Sequence, residues 1–224
     1  MKNINSSLMR GLRVLVVAAC CLPAISVAGA FDDFFTAVKT DDASELNALL
    51  KRGLDPNLVD EARGENGLII AVREGAMKAF NVLVNAPDIK LNATARNGDT
   101  ALMVAAFKGN RSAVETLLDR GAAVNRSGWT ALHYAAASGS NDIAQLLIKK
   151  GADVNARSPN KTTPLMMAAG EGHIMTVKLL LDNGADLSSR NESGMDALDF
   201  ALHKGHKDIA EGLTYRLKRA GKLQ

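Results

Sequence analysis

The chain has 224 residues, 47% of them hydrophobic and 4% aromatic, with 27 Lys+Arg against 24 Asp+Glu. Three of the basic residues and none of the acidic ones fall in the first thirty positions, so the remainder carries 24 of each sign and gives no electrostatic case for nucleic acid as a partner. Both cysteines, Cys20 and Cys21, also lie in that segment. Downstream there is no thiol, which excludes a disulfide scaffold and a catalytic cysteine there.

The leading segment reads as a targeting sequence. Lys2, Arg10 and Arg13 form a basic region, residues 14–22 are a short apolar run, and Pro23 leads to the small-x-small site Ala28-Gly29-Ala30. This pattern predicts that residues 1–30 are a signal peptide, cleaved after Ala30 to leave Phe31 first. The expected destination is the periplasm of a bacterium, or secretion. Two alternatives stay open. Residues 14–30 are 17 positions without a charge, the low edge of a membrane anchor, although Pro23 and Gly29 interrupt them. Val17-Ala18-Ala19-Cys20 is similar to a lipobox, and lipidation at Cys20 would tether the chain, yet apolar Cys21-Leu22-Pro23-Ala24-Ile25 follows where a polar tether is expected.

From Phe31 onward the sequence repeats. Anchored on Asp32, Asn66, Thr100, Thr130, Thr163 and Asp196, the intervals are 34, 34, 30, 33 and 33 residues. In the first unit Phe31, Phe34, Phe35, Leu46, Leu49 and Leu50 supply a packing face, Asp41 stands at an inter-helix position, and Asp42-Ala43-Ser44 offers N-cap chemistry. The second unit has Asn66-Gly67 at its anchor and the longer closing phrase Pro87-Asp88-Ile89-Lys90-Leu91-Asn92. The third reads Thr100-Ala101-Leu102-Met103-Val104-Ala105-Ala106 with Gly109, then Gly121-Ala122-Ala123-Val124-Asn125. The fourth reads Thr130-Ala131-Leu132-His133-Tyr134-Ala135-Ala136 with Gly139, then Gly151-Ala152-Asp153-Val154-Asn155. The fifth has Thr163-Pro164-Leu165-Met166-Met167-Ala168-Ala169 with Gly172, then Gly184-Ala185-Asp186-Leu187-Ser188. The sixth keeps a faint copy, Asp196-Ala197-Leu198-Asp199-Phe200-Ala201 with Gly205, and a charged final helix suited to capping.

Self-similarity at this period is the mark of a solenoid. The phrases resemble the ankyrin repeat and its T-P-L-H-x-A pattern. The resemblance implies an all-α repeat solenoid of about six helix-turn-helix units joined by β-hairpin fingers. The units would span 31–62, 63–95, 96–126, 127–157, 158–190 and 191–219, with a tail at 220–224. In the third, an inner helix over 100–108 and an outer helix over 111–120 are expected. Stripes such as Val114, Leu117 and Leu118, or Ile143, Leu146 and Leu147, give the outer helices an apolar face.

The resemblance also implies function: ankyrin arrays bind proteins, usually through a concave face made of finger tips and inner helices. Carried onto this chain, the variable positions expected to touch a protein partner are Arg96, Asn97, Asp99, Phe107, Lys108, Arg126, Trp129, Ser138, Asn160, Thr162, Glu171 and Met195. Trp129, Phe107 and Met195 are the large apolar members, and Trp129 with Arg96 and Arg126 is the best candidate anchor. The alternative for Trp129 is an indole folded back over its own loop. That loop is short: four residues separate Asn125 from Thr130, where seven precede Thr100, Thr163 and Asp196. Drift in a tolerant loop and a notch in the row of fingers both fit. Each finger also carries an arginine (Arg63, Arg96, Arg126, Arg157, Arg190), either ordinary finger chemistry or a basic edge for an acidic partner.

No catalytic constellation is expected. The resemblance puts His133 at the position where the family's imidazole ties neighbouring loops, and His173 and His206 in the Gly-His pair that opens the outer helix, so all three have structural explanations. His203 and His206 are separated by Gly205 and lack a third ligand, so no metal site and no cofactor are expected. No nucleophile elbow, phosphate loop or H-E-x-x-H pattern occurs. The sequons at Asn92, Asn125 and Asn191 follow from the repeat's own asparagine. The expectation is a non-enzymatic monomeric binding protein, off the membrane unless lipidated at Cys20. An enzyme with an unrecognised site and a host-directed effector are the other readings.

Overall fold

The computed structural model describes residues 27–221; the basic region, the apolar run and Cys20 lie outside the described residues. Six helix pairs follow one another: α1 (Val27–Lys39) and α2 (Ala43–Lys51), α3 (Gly67–Glu74) and α4 (Met77–Val84), α5 (Ala101–Phe107) and α6 (Arg111–Asp119). Then come α7 (Ala131–Ser138) and α8 (Asn141–Lys149), α9 (Pro164–Gly170) and α10 (Ile174–Asp182), and α11 (Ala197–Lys204) and α12 (Lys207–Arg219). Most are seven to nine residues long, too short to hold alone in water, so their stability comes from stacking on neighbouring units. The inner helices α1, α3, α5, α7, α9 and α11 pack in sequence, with the outer helices stacked behind them. Leu83, Leu117, Leu147 and Leu180 of the outer helices are fully buried in one continuous core with paired alanines such as Ala105-Ala106 and Ala135-Ala136. Those alanines let the helix rows approach closely.

Each start and stop has a local cause. Asn66, Thr100, Thr163 and Asp196 cap the inner helices, each accepting from a main-chain N–H three residues on. Pro164 opens α9, where its missing N–H costs nothing. Between the helices of a pair the chain turns through a left-handed residue, which is glycine in five units and Asp41 (φ 57°) in the first. Asp41 offsets its strain with its carboxylate, which accepts the Ala79 N–H at 2.8 Å across the unit boundary. Asn66-Gly67 replaces the usual Thr-Pro for a packing reason: a Cβ at Gly67 would lie 2.8 Å from the Phe34 ring of the unit before.

The fingers differ from the expected hairpins. Among the described residues the β pairing is one isolated bridge, Val59 to Asn66. Elsewhere a finger is a tight turn closed by main-chain bonds such as Ala95 N–H to Asp99 O (2.8 Å) or Ser158 N–H to Thr162 O (3.0 Å). The asparagine that ends each repeat ties units together. Asn125 accepts from Asp153 N–H at 2.8 Å and donates to Gly151 O at 2.8 Å; Asn155 does the same with Asp186 (2.8 Å) and Gly184 (3.1 Å). Helix α1 reaches upstream of the expected first unit, so Ala28 and Ala30 lie within it, and Ala30 is buried. Phe31 packs edge-on against Phe35 at 4.9 Å.

Candidate functional site

Four positions after its cap, each of the last four inner helices presents a partly buried apolar side chain: Val104, Tyr134, Met167 and Phe200. Around Tyr134 and Met167 this ridge borders a groove of about 170 Å³, lined by Phe107, Trp129, His133, Tyr134, Ala137 and Met167. Phe107, at the end of α5, is 52% exposed and meets the Tyr134 ring edge-on at 6.1 Å. Trp129, just before the Thr130 cap, is half-buried and stands edge-on to His133 at 5.2 Å.

The short finger sits at one end of this groove. Elsewhere adjacent fingers join main chain to main chain, Arg96 N–H to Arg63 O and Glu192 N–H to Asn160 O, both at 3.0 Å. Among the described residues the 126–129 turn has neither such a link nor a closing main-chain pair. It reaches its predecessor through the Arg126 guanidinium on the Gly98 carbonyl.

The floor is uncharged. His133 is buried, and its Nδ1 accepts from the Thr130 hydroxyl (2.9 Å) and N–H (3.2 Å). Its Nε2 therefore carries the hydrogen and donates to the Thr162 carbonyl at 3.0 Å. Burial holds this imidazole below the usual histidine range, outweighing hydrogen bonds that favour the cation. The Tyr134 hydroxyl donates to the Asp99 carboxylate; burial first, and then that bond, push the phenol well above its ordinary range. The other Asp99 oxygen accepts from Asn97 Nδ2 at 2.7 Å. Both ring systems are thus fixed neutral walls rather than acid-base groups. Among the described residues no group of three or more His, Cys, Asp or Glu side chains could hold a metal ion, and no helix is long and apolar enough to cross a membrane.

The structure sorts the residues expected to touch a partner. Phe107 and Trp129 line the groove, Arg126 borders it, and Asp99 and Asn97 stand behind Tyr134. Lys108 and Glu171 are exposed. Arg96 is turned away from Trp129, onto the carbonyls of Glu61 (2.8 Å) and Ala62 (3.1 Å), so it is not part of that anchor. Ser138 faces inward, its hydroxyl shared among Ala106 O, Ala135 O and the Ser140 hydroxyl. Asn160 is exposed but shapes its own finger, accepting from Ser158 Oγ at 2.5 Å. Thr162 is only 2% exposed: its carbonyl is the anchor for His133, so its side chain is not a contact surface. Met195 is half-buried, closes its finger with Asn191, and does not line the groove. Met167 lines it instead. The finger arginines act largely as staples: Arg157 donates to Arg190 O at 2.9 Å, and Arg190 pairs with Asp196 at 2.8 Å and Asp199 at 3.3 Å. Tyr134 and Met167 were the residues missing from the sequence-based set. Aligning the units on their caps would have revealed them, because that column reads Val104, Tyr134, Met167, Phe200.

These features place the chain among the helical repeat scaffolds. A family model of three ankyrin repeats matches residues 34–126 and again 68–158, and one of many ankyrin repeats matches 165–213. The chain belongs to the ankyrin repeat family, whose members are generally protein-protein interaction modules and typically not enzymes. Among curated proteins it is similar to the photoreceptor ankyrin repeat protein of Homo sapiens, 32% identical over 81 residues. That stretch covers 35% of this chain and 18% of the human protein, so the two share a block of repeats rather than a whole architecture.

Proposed function

We propose that this chain is a non-enzymatic, monomeric binding protein, exported to a bacterial periplasm, that holds a protein partner on its inner-helix face with the Trp129 groove as the centre of contact. One observation carries the reading. Phe107 leaves half of its surface in water beside Trp129, Tyr134 and Met167. Aromatic side chains clustered at a surface recess are what binding hot spots are made of. Export rests on the basic region, the apolar run and the Ala28-Gly29-Ala30 site, and on the lack of cysteine beyond them.

Photo-cross-linking in the producing cell tests the binding face. Benzoylphenylalanine at position 107 should give a defined protein adduct, whereas the same group at exposed position 178 on α10 should not. Equal labelling at both positions, or none at 107 in a folded protein, would overturn the assignment. Export is tested separately by amino-terminal sequencing of the periplasmic species, which should begin at Phe31. Palmitate labelling lost in Cys20→Ser would show a lipoprotein instead.

A further inference from the structure

Building on that reading of the groove, we infer the chemistry of what enters it: a peptide segment of the partner carrying one bulky apolar side chain with a carboxylate residue beside it. Size comes first. Sites for drug-sized molecules run to about 300–1,000 Å³. At about 170 Å³ this recess suits one leucine, methionine or phenylalanine side chain. The uncharged floor of His133 and Tyr134 would desolvate any ion placed there without pairing it.

Two further features point to a peptide and set its direction. The indole N–H of Trp129, a residue that lines the groove, has no hydrogen-bond partner among the described residues and is not a buried orphan, so this donor is open. A main-chain carbonyl next to the apolar side chain would meet it, as a bare hydrocarbon could not. The charges are placed unevenly. Arg126 donates to the Gly98 carbonyl, lies 3.5 Å from the Met103 sulfur, and has no ion pair among the described residues. Lys108, next to Phe107, is exposed and has no ion pair among the described residues. Asp99 is already engaged by Tyr134 and Asn97. Glu171, one helical turn past the groove-lining Met167, is exposed and has no ion pair among the described residues. A partner carboxylate is therefore drawn to the Phe107 side and repelled from the Met167 side, which orients the segment.

A phage-displayed random dodecapeptide library panned on the full chain tests this. Trp129 is the chain's single tryptophan, so its fluorescence reports entry directly. Selected peptides should carry Leu, Ile, Met or Phe within two positions of Asp or Glu and should shift the Trp129 emission. Affinity should fall at least about tenfold in Phe107→Ala and about three- to tenfold in Lys108→Glu, and should rise in Glu171→Lys. Enrichment of basic or purely polar peptides, absence of any selected peptide, or affinities indifferent to both charge reversals would overturn the inference. A cross-link at position 107 combined with any of those results would leave partner binding standing and refute this ligand chemistry alone.

Discussion

Alanine at Gly139 probes the contact that fixes units four and five against each other. Gly139 turns at φ +68°, and an added Cβ would lie 2.5 Å from His173 Nδ1. That ring is pinned by its Nε2, which donates to the Ala137 carbonyl at 3.0 Å. The substitution therefore carries two costs: about 1 kcal/mol for a left-handed residue with a Cβ, and about 1–3 kcal/mol for displacing the ring and losing its hydrogen bond. The chain contains its own control one unit earlier. Gly109 has φ +67°, but Ser140 stands where His173 would, its hydroxyl at an ordinary 3.5 Å from the added Cβ. Gly109→Ala should lower stability by about 1 kcal/mol and Gly139→Ala by about 2–4 kcal/mol. Both are read as shifts of the urea midpoint at unchanged slope. The double change Gly139→Ala with His173→Ala should cost less than the sum of the two single changes, because the clash disappears and the hydrogen bond is lost only once. Equal losses at the two glycines would refute the close-approach argument. Because His173 ties the turn before α10 to α7, the same change should also loosen the groove and broaden Trp129 emission.

Further outcomes follow from the same geometry. His133 is neutral when folded, while the unfolded chain titrates near the ordinary value of 6.5. Below that pH the unfolded state takes up a proton that the fold refuses. Stability should fall as the pH is lowered through the ordinary value of 6.5, with a slope that approaches about 1.4 kcal/mol per pH unit below it, and His133→Asn should flatten the dependence. A urea midpoint that holds or rises on acidification would contradict this. Phe107→Ala should cost under about 1 kcal/mol of stability and Trp129→Ala about 1.5–3 kcal/mol, because only the indole rests on His133. The reverse order in thermal or urea unfolding would mean that Phe107 is the structural ring. Asn125→Ala removes the acceptor for Asp153 N–H and the donor to Gly151 O across the boundary between units three and four. It should cost about 1 kcal/mol and speed hydrogen exchange at Asp153, and unchanged exchange would count against the staple.

The repeating elements were legible because they are local. Thr100, Thr163 and Asp196 cap helices wherever such residues precede an alanine-rich phrase, and Gly75, Gly109, Gly139, Gly172 and Gly205 all turn left-handed as their position demands. Trp129, Phe107 and the three-residue loss before Thr130 were also legible, since each breaks a pattern that the other units keep. Less so were residues whose role depends on the next unit. Thr162 reads as a variable loop position, yet His133 from 29 residues away takes its carbonyl and draws it inside. Met195 reads as a large apolar variable position, but its finger belongs to a later unit, and it is Met167 that lines the groove with Trp129.

The sequence by itself determined the number of units, their register, their caps and turns, and the packing role of His133, His173 and His206, because each follows from a motif within one or two repeats. Tertiary structure alone decided which side chains share a surface. It joined Phe107, Trp129, Tyr134 and Met167 from three units into one recess, and it turned Arg96, Ser138 and Thr162 away to internal partners. The physical reason is that stacking brings residues about thirty positions apart into contact. The identity of each neighbour in the adjoining unit, serine or histidine opposite a glycine, methionine or phenylalanine beside a tyrosine, then sets what is left open to a partner.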